Sequence, residues 1–211
     1  MNSLIDQYVL QNINPADPVL DWLEHETNIR TNHGRMLSGP TLGRLLTTFA
    51  QMINAQRVLE IGTFTGYSAI CLARGLSKTG HLDAFEKNDL LEPLIREGFE
   101  RAGVSDKISL HFGNALETLP KFSNFTYDLA YIDGNKREYY RYYELIFNMV
   151  RPGGYILADN VLWYEKVVME PLPKDAQTQE IVRFNKMIRE DRRVESYILP
   201  LRDGLTIIRI L

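Results

Sequence analysis

The stretch Val58-Leu59-Glu60-Ile61-Gly62-Thr63-Phe64-Thr65-Gly66-Tyr67-Ser68 decides how the rest of the sequence is organised. Its apolar start, 58–61, predicts a short buried strand, and residues 67–76 predict the helix that follows, so two glycines lie in the strand-to-helix turn. Glycine has no Cβ, which lets a ligand approach the backbone at Gly62 and Gly66. Ser68 adds a hydroxyl where the first N–H groups of the helix are free. The turn is therefore predicted to hold a small molecule.

Glu60 restricts the kind of ligand that this turn can hold. A carboxylate at the strand end would repel a pyrophosphate. The Gly-x-x-x-Gly spacing also differs from the dinucleotide fingerprint, and no Gly-Lys-Ser/Thr ending makes the turn a phosphate loop. These features favour a cationic or neutral ligand. A tight turn with only a structural role in some other α/β domain is the alternative.

Composition and charge narrow the class of protein. The 211 residues fit a single domain with a substantial core, and 45% are hydrophobic and 24% charged, as in globular proteins. The net charge of −3 argues weakly against broad binding to nucleic acid or an anionic membrane. Cys71 is the only cysteine, so no intramolecular disulfide can form. With no apolar run of membrane-spanning length and no signal peptide, we expect a cytoplasmic protein without a membrane partner.

The first part of the chain, 1–55, is predicted to be helical. Leu20, Leu23 and Thr27 lie on one face of a segment that Asp17 caps and Pro18 begins. A second apolar stripe consists of Leu42, Leu45, Leu46 and Phe49. Between the two helices, the polar and glycine-bearing segment 31–40 predicts a loop that is able to fold over a site.

The second part, 56–211, alternates between strand and helix patterns. The predicted strands are 58–61, 81–86, 108–112, 127–132 and 154–158, and the helices between them are 67–76, 89–102, 114–119 and 138–150. This alternation predicts a parallel sheet with helices on both faces. A helix near 175–190 then leads to strands 194–199 and 205–211, which Asp203-Gly204 joins as a hairpin. The predicted fold class is α/β, a doubly wound seven-stranded sheet that is mostly parallel and ends in an antiparallel hairpin.

Polar residues follow the second and third strands. Glu86 ends the second strand, where an acidic residue of a doubly wound nucleotide fold accepts hydrogen bonds from ribose hydroxyls. A solvated carboxylate is the alternative for Glu86. The third strand runs into Gly113-Asn114-Ala115.

The fourth and fifth strands end in Asp133 and in Asp159-Asn160. Ligands of such sheets lie beyond the carboxyl ends of the strands, so these three side chains are predicted to converge in one crevice. Three oxygen donors with no cysteine or histidine nearby favour a hard cation over zinc: Mg²⁺ first, with Mn²⁺ or Ca²⁺ as alternatives.

Together these segments resemble the cation-dependent class I O-methyltransferases, the family that includes catechol and caffeoyl-coenzyme A O-methyltransferases and bacterial O-methyltransferase family 3. The resemblance rests on the glycine turn, on Ile132-Asp133-Gly134-Asn135-Lys136, on Arg151-Pro152-Gly153-Gly154 followed by Asp159-Asn160-Val161-Leu162-Trp163, on Phe184-Asn185 and on Asp203-Gly204. It covers roughly residues 36–211 and implies the class I methyltransferase fold, also called Rossmann-like. It also implies a homodimer.

The resemblance further implies a role for each matching residue. Lys136 would handle the acceptor's proton, and Asp133, Asp159 and Asn160 would hold the cation. The methyl donor S-adenosylmethionine (SAM) would contact Met36, Glu60, Gly62, Thr63, Gly66, Ser68, Glu86, Ala115 and Asp133. Trp163 and Asp203 would meet the acceptor.

The acceptor is the least determined part of this prediction. Gly134-Asn135 stands where Ala-Asp is more usual, and Tyr164-Glu165 follows Trp163 where a glycine is frequent. We expect a small hydroxylated acceptor with adjacent oxygens, similar to a catechol. A hydroxylated uridine in tRNA, the acceptor of some bacterial relatives, is the alternative. A non-catalytic SAM-binding module is a third reading, which the intact cation and lysine positions disfavour.

Overall fold

The computed structural model describes residues 4–14 and 17–211, and within them a single sheet of seven strands. The strands are Arg57–Ile61 (β1), His81–Glu86 (β2), Ile108–Phe112 (β3), Tyr127–Ile132 (β4), Val150–Asp159 (β5), Val194–Leu199 (β6) and Leu205–Ile210 (β7). The helices are Leu4–Asn12 (α1), Pro18–Arg30 (α2), Gly39–Met52 (α3), Tyr67–Gly75 (α4), Glu92–Arg101 (α5), Ala115–Thr118 (α6), Tyr139–Phe147 (α7) and Ala176–Glu190 (α8).

The strand order is β3-β2-β1-β4-β5-β7-β6. The first five of these positions are parallel, whereas β7 runs antiparallel to both β5 and β6. This order confirms the predicted fold class. The chain winds outward from β1 to β3 and then returns to β4, so the carboxyl ends of β1 and β4 flank the point where the winding reverses. In such sheets that point is where ligands bind.

Apolar side chains cover both faces of the sheet. Helices α2 to α5 pack on one face and α6 to α8 on the other. The central strands β1 and β4 are almost fully buried, which explains why they read as apolar runs in the sequence rather than as alternating patterns.

The N-terminal helices pack as the sequence predicts. Leu20, Leu23 and Thr27 are buried on one face of α2, and the Asp17 carboxylate accepts a hydrogen bond from Val19 N at 2.8 Å at its start. Thr27 Oγ1 donates to Thr65 Oγ1 at 2.9 Å. This buried bond ties α2 directly to the glycine turn.

Two predicted boundaries were wrong around β5. The strand begins at Val150 rather than 154, and α7 ends at Phe147 rather than 150. Tyr127 pairs with Val150 while Leu129 already pairs with Tyr155, so residues 151–154 bulge from the ladder. The Arg-Pro-Gly-Gly sequence reads locally as a break, but pairing with β4 on either side of the bulge keeps it within one strand.

In the part of the chain that the structure describes, no helix is both long enough and apolar enough to cross a membrane.

Candidate active site

A cavity of about 410 Å³ lies at the carboxyl ends of the central strands. Side chains and backbone from the ends of β1, β2, β4 and β5 line it, and the segment 35–37 forms part of its wall. The cavity brings together most of the predicted site: Met36, Gly62, Glu86, Ala115, Asp133, Lys136, Asp159, Asn160 and Trp163. The predicted residues Glu60, Thr63, Gly66, Ser68 and Asp203 lie outside its wall.

The two glycines of the turn are required by close contacts within the protein. Gly62 and Gly66 have φ angles of 94° and 97°, which favour glycine. A Cβ at Gly62 would collide with the carbonyl of Asp133, and one at Gly66 would lie 2.8 Å from Phe99 Cε1. Gly62 therefore lets the ends of β1 and β4 approach each other at the cavity, whereas a Cβ at Gly66 would meet Phe99.

Glu60 is fully buried beneath this turn. Its Oε2 accepts a hydrogen bond from Thr63 Oγ1 at 2.9 Å, whereas Oε1 has no hydrogen-bond partner among the described residues. Burial raises the pKa of Glu60 to about 8, against the opposing effect of the Ser68 and Thr63 hydroxyls. An unsatisfied buried acceptor is unusual in a native protein, which singles out Glu60 Oε1 within the turn.

Glu86 uses both carboxylate oxygens to organise the backbone at the cavity. Oε2 accepts from Phe64 N at 2.7 Å, and Oε1 accepts from Asn88 N at 2.8 Å. Glu86 is thus held in place by the glycine turn and by its own loop, so the solvated reading does not describe it.

Asn114 and Ala115 lie at the start of α6, beside the cavity. Asn114 Oδ1 accepts from Leu116 N at 3.1 Å, and its Nδ2 donates to Glu117 Oε1 at 3.0 Å. Asn114 is therefore the N-cap of α6. Ala115 is buried and lines the cavity, as predicted.

Asp133 and Lys136 form an ion pair at the end of β4. Lys136 Nζ lies 2.7 Å from Asp133 Oδ1 and 5.0 Å from the centre of the Tyr139 ring. Burial opposes the charge on Lys136, but the neighbouring Asp133 carboxylate outweighs it and raises the pKa of the lysine. Lys136 is therefore an ammonium ion in the protein as it stands.

Asp159 ends β5 on the other side of the same cavity. Its Oδ2 accepts from Tyr131 OH at 3.1 Å, and its Oδ1 accepts from Asn160 N at 2.8 Å. Burial, and next to it the charge of Asp133, raise the pKa of Asp159 to about 7. The two carboxylates are thus close enough to repel each other in a poorly solvated place.

This donor set fits a hard cation. Among the described residues, no three His, Cys, Asp or Glu side chains cluster around one point, so a purely acidic or histidine site is absent there. The predicted set has two carboxylates and the amide of Asn160, and all three line the cavity. A divalent cation would relieve the repulsion between Asp133 and Asp159, and oxygen donors are what Mg²⁺, Mn²⁺ and Ca²⁺ prefer.

The predicted acceptor residues, Trp163 and Asp203, have different positions. Trp163 lines the cavity and its ring lies 5.3 Å from that of Tyr164, which is 68% exposed at the rim. Asp203 is instead a support for that loop, because its Oδ1 accepts from Tyr164 N at 2.6 Å.

A family model described as O-methyltransferase matches residues 12–211, nearly the whole chain. The chain belongs to the O-methyltransferase family. Similar sequences include caffeoyl-CoA O-methyltransferase 1 of Arabidopsis thaliana, which is 32% identical over 96% of this chain and 83% of that protein. Catechol O-methyltransferase domain-containing protein 1 of Mus musculus is 35% identical over 78% of this chain and 64% of that protein.

Solved structures resemble this O-methyltransferase across its whole length. The O-methyltransferase of Bacillus cereus in complex with SAH superimposes with a TM-score of 0.91, at 30% sequence identity, over 99% of this chain and 98% of that chain. The recognition from short sequence motifs is therefore confirmed by likeness of both sequence and fold.

Several residues of this O-methyltransferase site were missed by sequence reasoning. Tyr139 OH donates to Asp159 O at 2.7 Å, and together with Tyr131 it holds Asp159 in place. Arg202 lines the cavity and its Nη2 donates to Leu37 O at 2.9 Å, which joins the segment 35–37 to the β6–β7 turn. A tyrosine inside a buried strand is a usable signal, since its hydroxyl needs a partner. The Arg202 contact spans 165 residues and has no local signal.

Proposed function

We propose that this O-methyltransferase transfers a methyl group from SAM to one hydroxyl of a small catechol-like acceptor, with a divalent cation held by Asp133, Asp159 and Asn160. The observation that carries the proposal is the single cavity that contains these three residues together with Lys136, Trp163 and Glu86. The SAH bound to the B. cereus protein and the acceptors in the names of the plant and mouse relatives support it.

The residues of the chain divide the work of the reaction. A divalent cation held by Asp133, Asp159 and Asn160 would lower the pKa of an acceptor hydroxyl and so ease the loss of its proton. Lys136 is the group placed to receive that proton. Because Asp133 holds Lys136 as an ammonium ion, proton acceptance requires the Asp133 carboxylate to be engaged elsewhere. Trp163 provides a flat wall for a planar ring. The freed acceptor oxygen attacks the methyl carbon in line as the carbon–sulfur bond of SAM breaks.

Glu60 is the residue that we assign to the ammonium group of SAM. Replacing Glu60 with glutamine is expected to weaken SAM binding by roughly ten- to a hundredfold, because a hydrogen bond to a charged group is worth about 1.5–3 kcal/mol. Calorimetric titration of parent and variant with SAM measures this. Equal affinities would contradict the ammonium assignment.

The same substitution has a predicted effect on stability in the absence of SAM. The folded pKa of Glu60, about 8, lies above its ordinary value of 4.5, so folding favours the neutral form. The stability that the protein gains from neutral Glu60 is complete below pH 4.5 and is lost as the pH rises to 8. The advantage of Glu60→Gln should therefore grow across this window, to the order of a few kcal/mol above it. Thermal unfolding of parent and variant at pH 5 and pH 8.5 measures this difference. A variant that becomes less stable relative to the parent at the higher pH would refute the prediction.

Product analysis tests the overall activity. The protein is incubated with SAM, Mg²⁺ and either a panel of catechols or tRNA, and the products are identified by mass spectrometry, with and without a chelator. We expect a mono-methylated catechol that depends on the cation. The cytoplasmic location and the homodimer stay predictions.

Methylation of tRNA is the second candidate, and the rim of the cavity favours it. Arg35 and Lys87 are exposed and line the cavity, beside the exposed ring of Tyr164. Cations and an aromatic surface are what single-stranded nucleic acid requires.

Salt dependence separates the two acceptors. A catechol acceptor should show a Michaelis constant that changes by less than about threefold between low and moderate salt, because small neutral molecules make no screened contacts. A tRNA acceptor with about five phosphate contacts should lose roughly a hundredfold in affinity. The variant Arg35→Glu/Lys87→Glu should leave catechol turnover nearly unchanged.

Arg192→Glu is the matched control for this measurement. Arg192 is exposed and does not line the cavity. Its neighbour Arg193 is unsuitable as a control because a substitution there would remove packing contacts. Arg193 Nη2 lies 2.6 Å from Asp191 Oδ2, and its guanidinium stacks on the Phe147 ring at 3.9 Å. A steep salt dependence with collapse in Arg35→Glu/Lys87→Glu, but not in Arg192→Glu, would overturn the catechol acceptor.

A further inference from the structure

The segment after β5 adopts a backbone conformation that its residues disfavour. Asn160, Trp163, Tyr164 and Glu165 have φ angles of 59°, 47°, 55° and 61°. This left-handed region is unfavourable for a residue with a side chain, and such positions persist only where the surroundings enforce them. Because Asp159 and Asn160 begin this segment, whatever enforces its shape also directs the proposed cation ligands.

One set of contacts comes from the β6–β7 turn. Val161 N donates to Gly204 O at 3.1 Å and Leu162 N donates to Asp203 O at 2.9 Å. A Cβ at Gly204 would lie 2.5 Å from Leu162 Cγ, so only glycine allows this approach. These contacts hold one side of the segment through its N–H groups.

The other side is held by a single side chain from α8. Asn185 Nδ2 donates to Val161 O at 2.8 Å, across 24 residues of sequence. Val161 is fully buried and directly follows Asn160. Among the described residues, Asn185 is thus the side chain that fixes Val161 O, a carbonyl in the turn that follows β5.

Asn185 contributes little net stability for this bond. Its Oδ1 is buried and has no hydrogen-bond partner among the described residues. The cost of leaving a buried acceptor unsatisfied offsets the stability that the bond to Val161 O supplies. The direction that Asn185 imposes on the backbone is therefore of more consequence than the stability that it adds.

We infer that Asn185 is a positioning residue for the cation site: by holding Val161 O it fixes the left-handed turn at Asn160 and so the directions of the Asn160 amide and the Asp159 carboxylate. The inference rests on the proposed function, since it concerns the cation of that reaction. Asn185 touches neither the cation nor the acceptor, and it acts only through the main chain.

Asn185→Leu is the decisive variant. It removes the unsatisfied Oδ1 of Asn185 and leaves Val161 O without its hydrogen bond instead, so the number of unsatisfied acceptors stays the same. The cavity of about 460 Å³ between α8 and β6, which Asn185 lines, leaves room for the apolar side chain. Its melting temperature should stay within about 4 °C of the parent. Its affinity for Mn²⁺, measured from the signal of free Mn²⁺ by electron paramagnetic resonance, should fall about ten- to a hundredfold. Its affinity for SAM should not change.

Two further variants complete the experiment. Asn185→Ala should weaken Mn²⁺ binding to a similar extent, which excludes an effect of the leucine side chain itself. Lys186 is an exposed neighbour of Asn185 that also lines the cavity between α8 and β6. The variant Lys186→Ala should bind Mn²⁺ like the parent.

The outcomes separate the two hypotheses. A parent protein that does not bind Mn²⁺ would overturn the proposed cation and the inference with it. A parent that binds Mn²⁺ no better than Asn185→Leu and Asn185→Ala would overturn the inference alone. Parallel losses of melting temperature, SAM affinity and Mn²⁺ affinity in both variants would also overturn it, since they indicate a general structural role.

Discussion

Asp159→Asn is expected to lower kcat/KM for methyl transfer by on the order of a thousandfold while SAM affinity stays within about twofold of the parent. The loss follows from the cation, whose stabilisation of charge is worth several kcal/mol, with each 1.4 kcal/mol equal to tenfold in rate. SAM affinity is spared because Glu60 and Glu86 belong to β1 and β2, whereas Asp159 ends β5. Steady-state kinetics and calorimetry measure the two quantities.

Asparagine is the appropriate replacement because it keeps the size of Asp159 and an oxygen for the hydrogen bond from Tyr131 OH. The matched control is Asp191→Asn, an acid at the end of α8 that accepts from Tyr143 OH at 2.8 Å and lies outside the cavity. Full turnover by Asp159→Asn, or by the parent in buffer stripped of divalent cations, would refute the assignment of the cation.

Lys136→Met is expected to lower kcat by about a hundred- to ten-thousandfold, the range that general-base residues supply. Methionine matches the length of the lysine stem but cannot accept a proton. Lys136→Arg separates proton acceptance from charge, because a guanidinium keeps the positive charge beside Asp133 and does not lose its proton in proteins. We therefore expect Lys136→Arg to be almost as inactive as Lys136→Met.

Single-turnover rates with SAM and a catechol, together with calorimetric SAM affinities, provide the measurement. An active Lys136→Arg would show that Lys136 supplies charge rather than a proton acceptor. Arg137→Met, at the next position of the same short turn and outside the cavity, should be fully active and serves as the control.

The elements around the glycine turn were predictable because their signals are local. The strand, the turn and the helix that follow one another from Arg57 to Gly75 differ from the prediction by one residue at either end. Asp17, two residues before Val19, is likewise the predicted cap of α2. Hydrophobic period, glycine at positive φ and helix capping all depend on residues within a few positions of one another.

Failures of prediction occurred where pairing with a distant strand decides the outcome. Arg151, Pro152 and Gly153 were predicted to lie between a helix and a strand, yet they belong to β5 because β4 pairs with residues on both sides of them. The contact of Asp203 with the backbone of Tyr164 also joins two segments that are distant along the chain, whereas its predicted contact with the acceptor stays a prediction.

The sequence by itself determined the succession of strands and helices along the chain, the glycine turn, and the set of oxygen and amine groups at the ends of the parallel strands. Parallel strands bring their carboxyl ends to one edge, so residues that end strands can be assigned to a common site from their order alone. Only the tertiary structure decided how those groups are charged and directed. Burial sets the pKa values of Glu60 and Asp159, and Asn185 holds Val161 from another helix. Solvent exclusion and such contacts depend on elements that are distant along the chain, so no local pattern of residues predicts them.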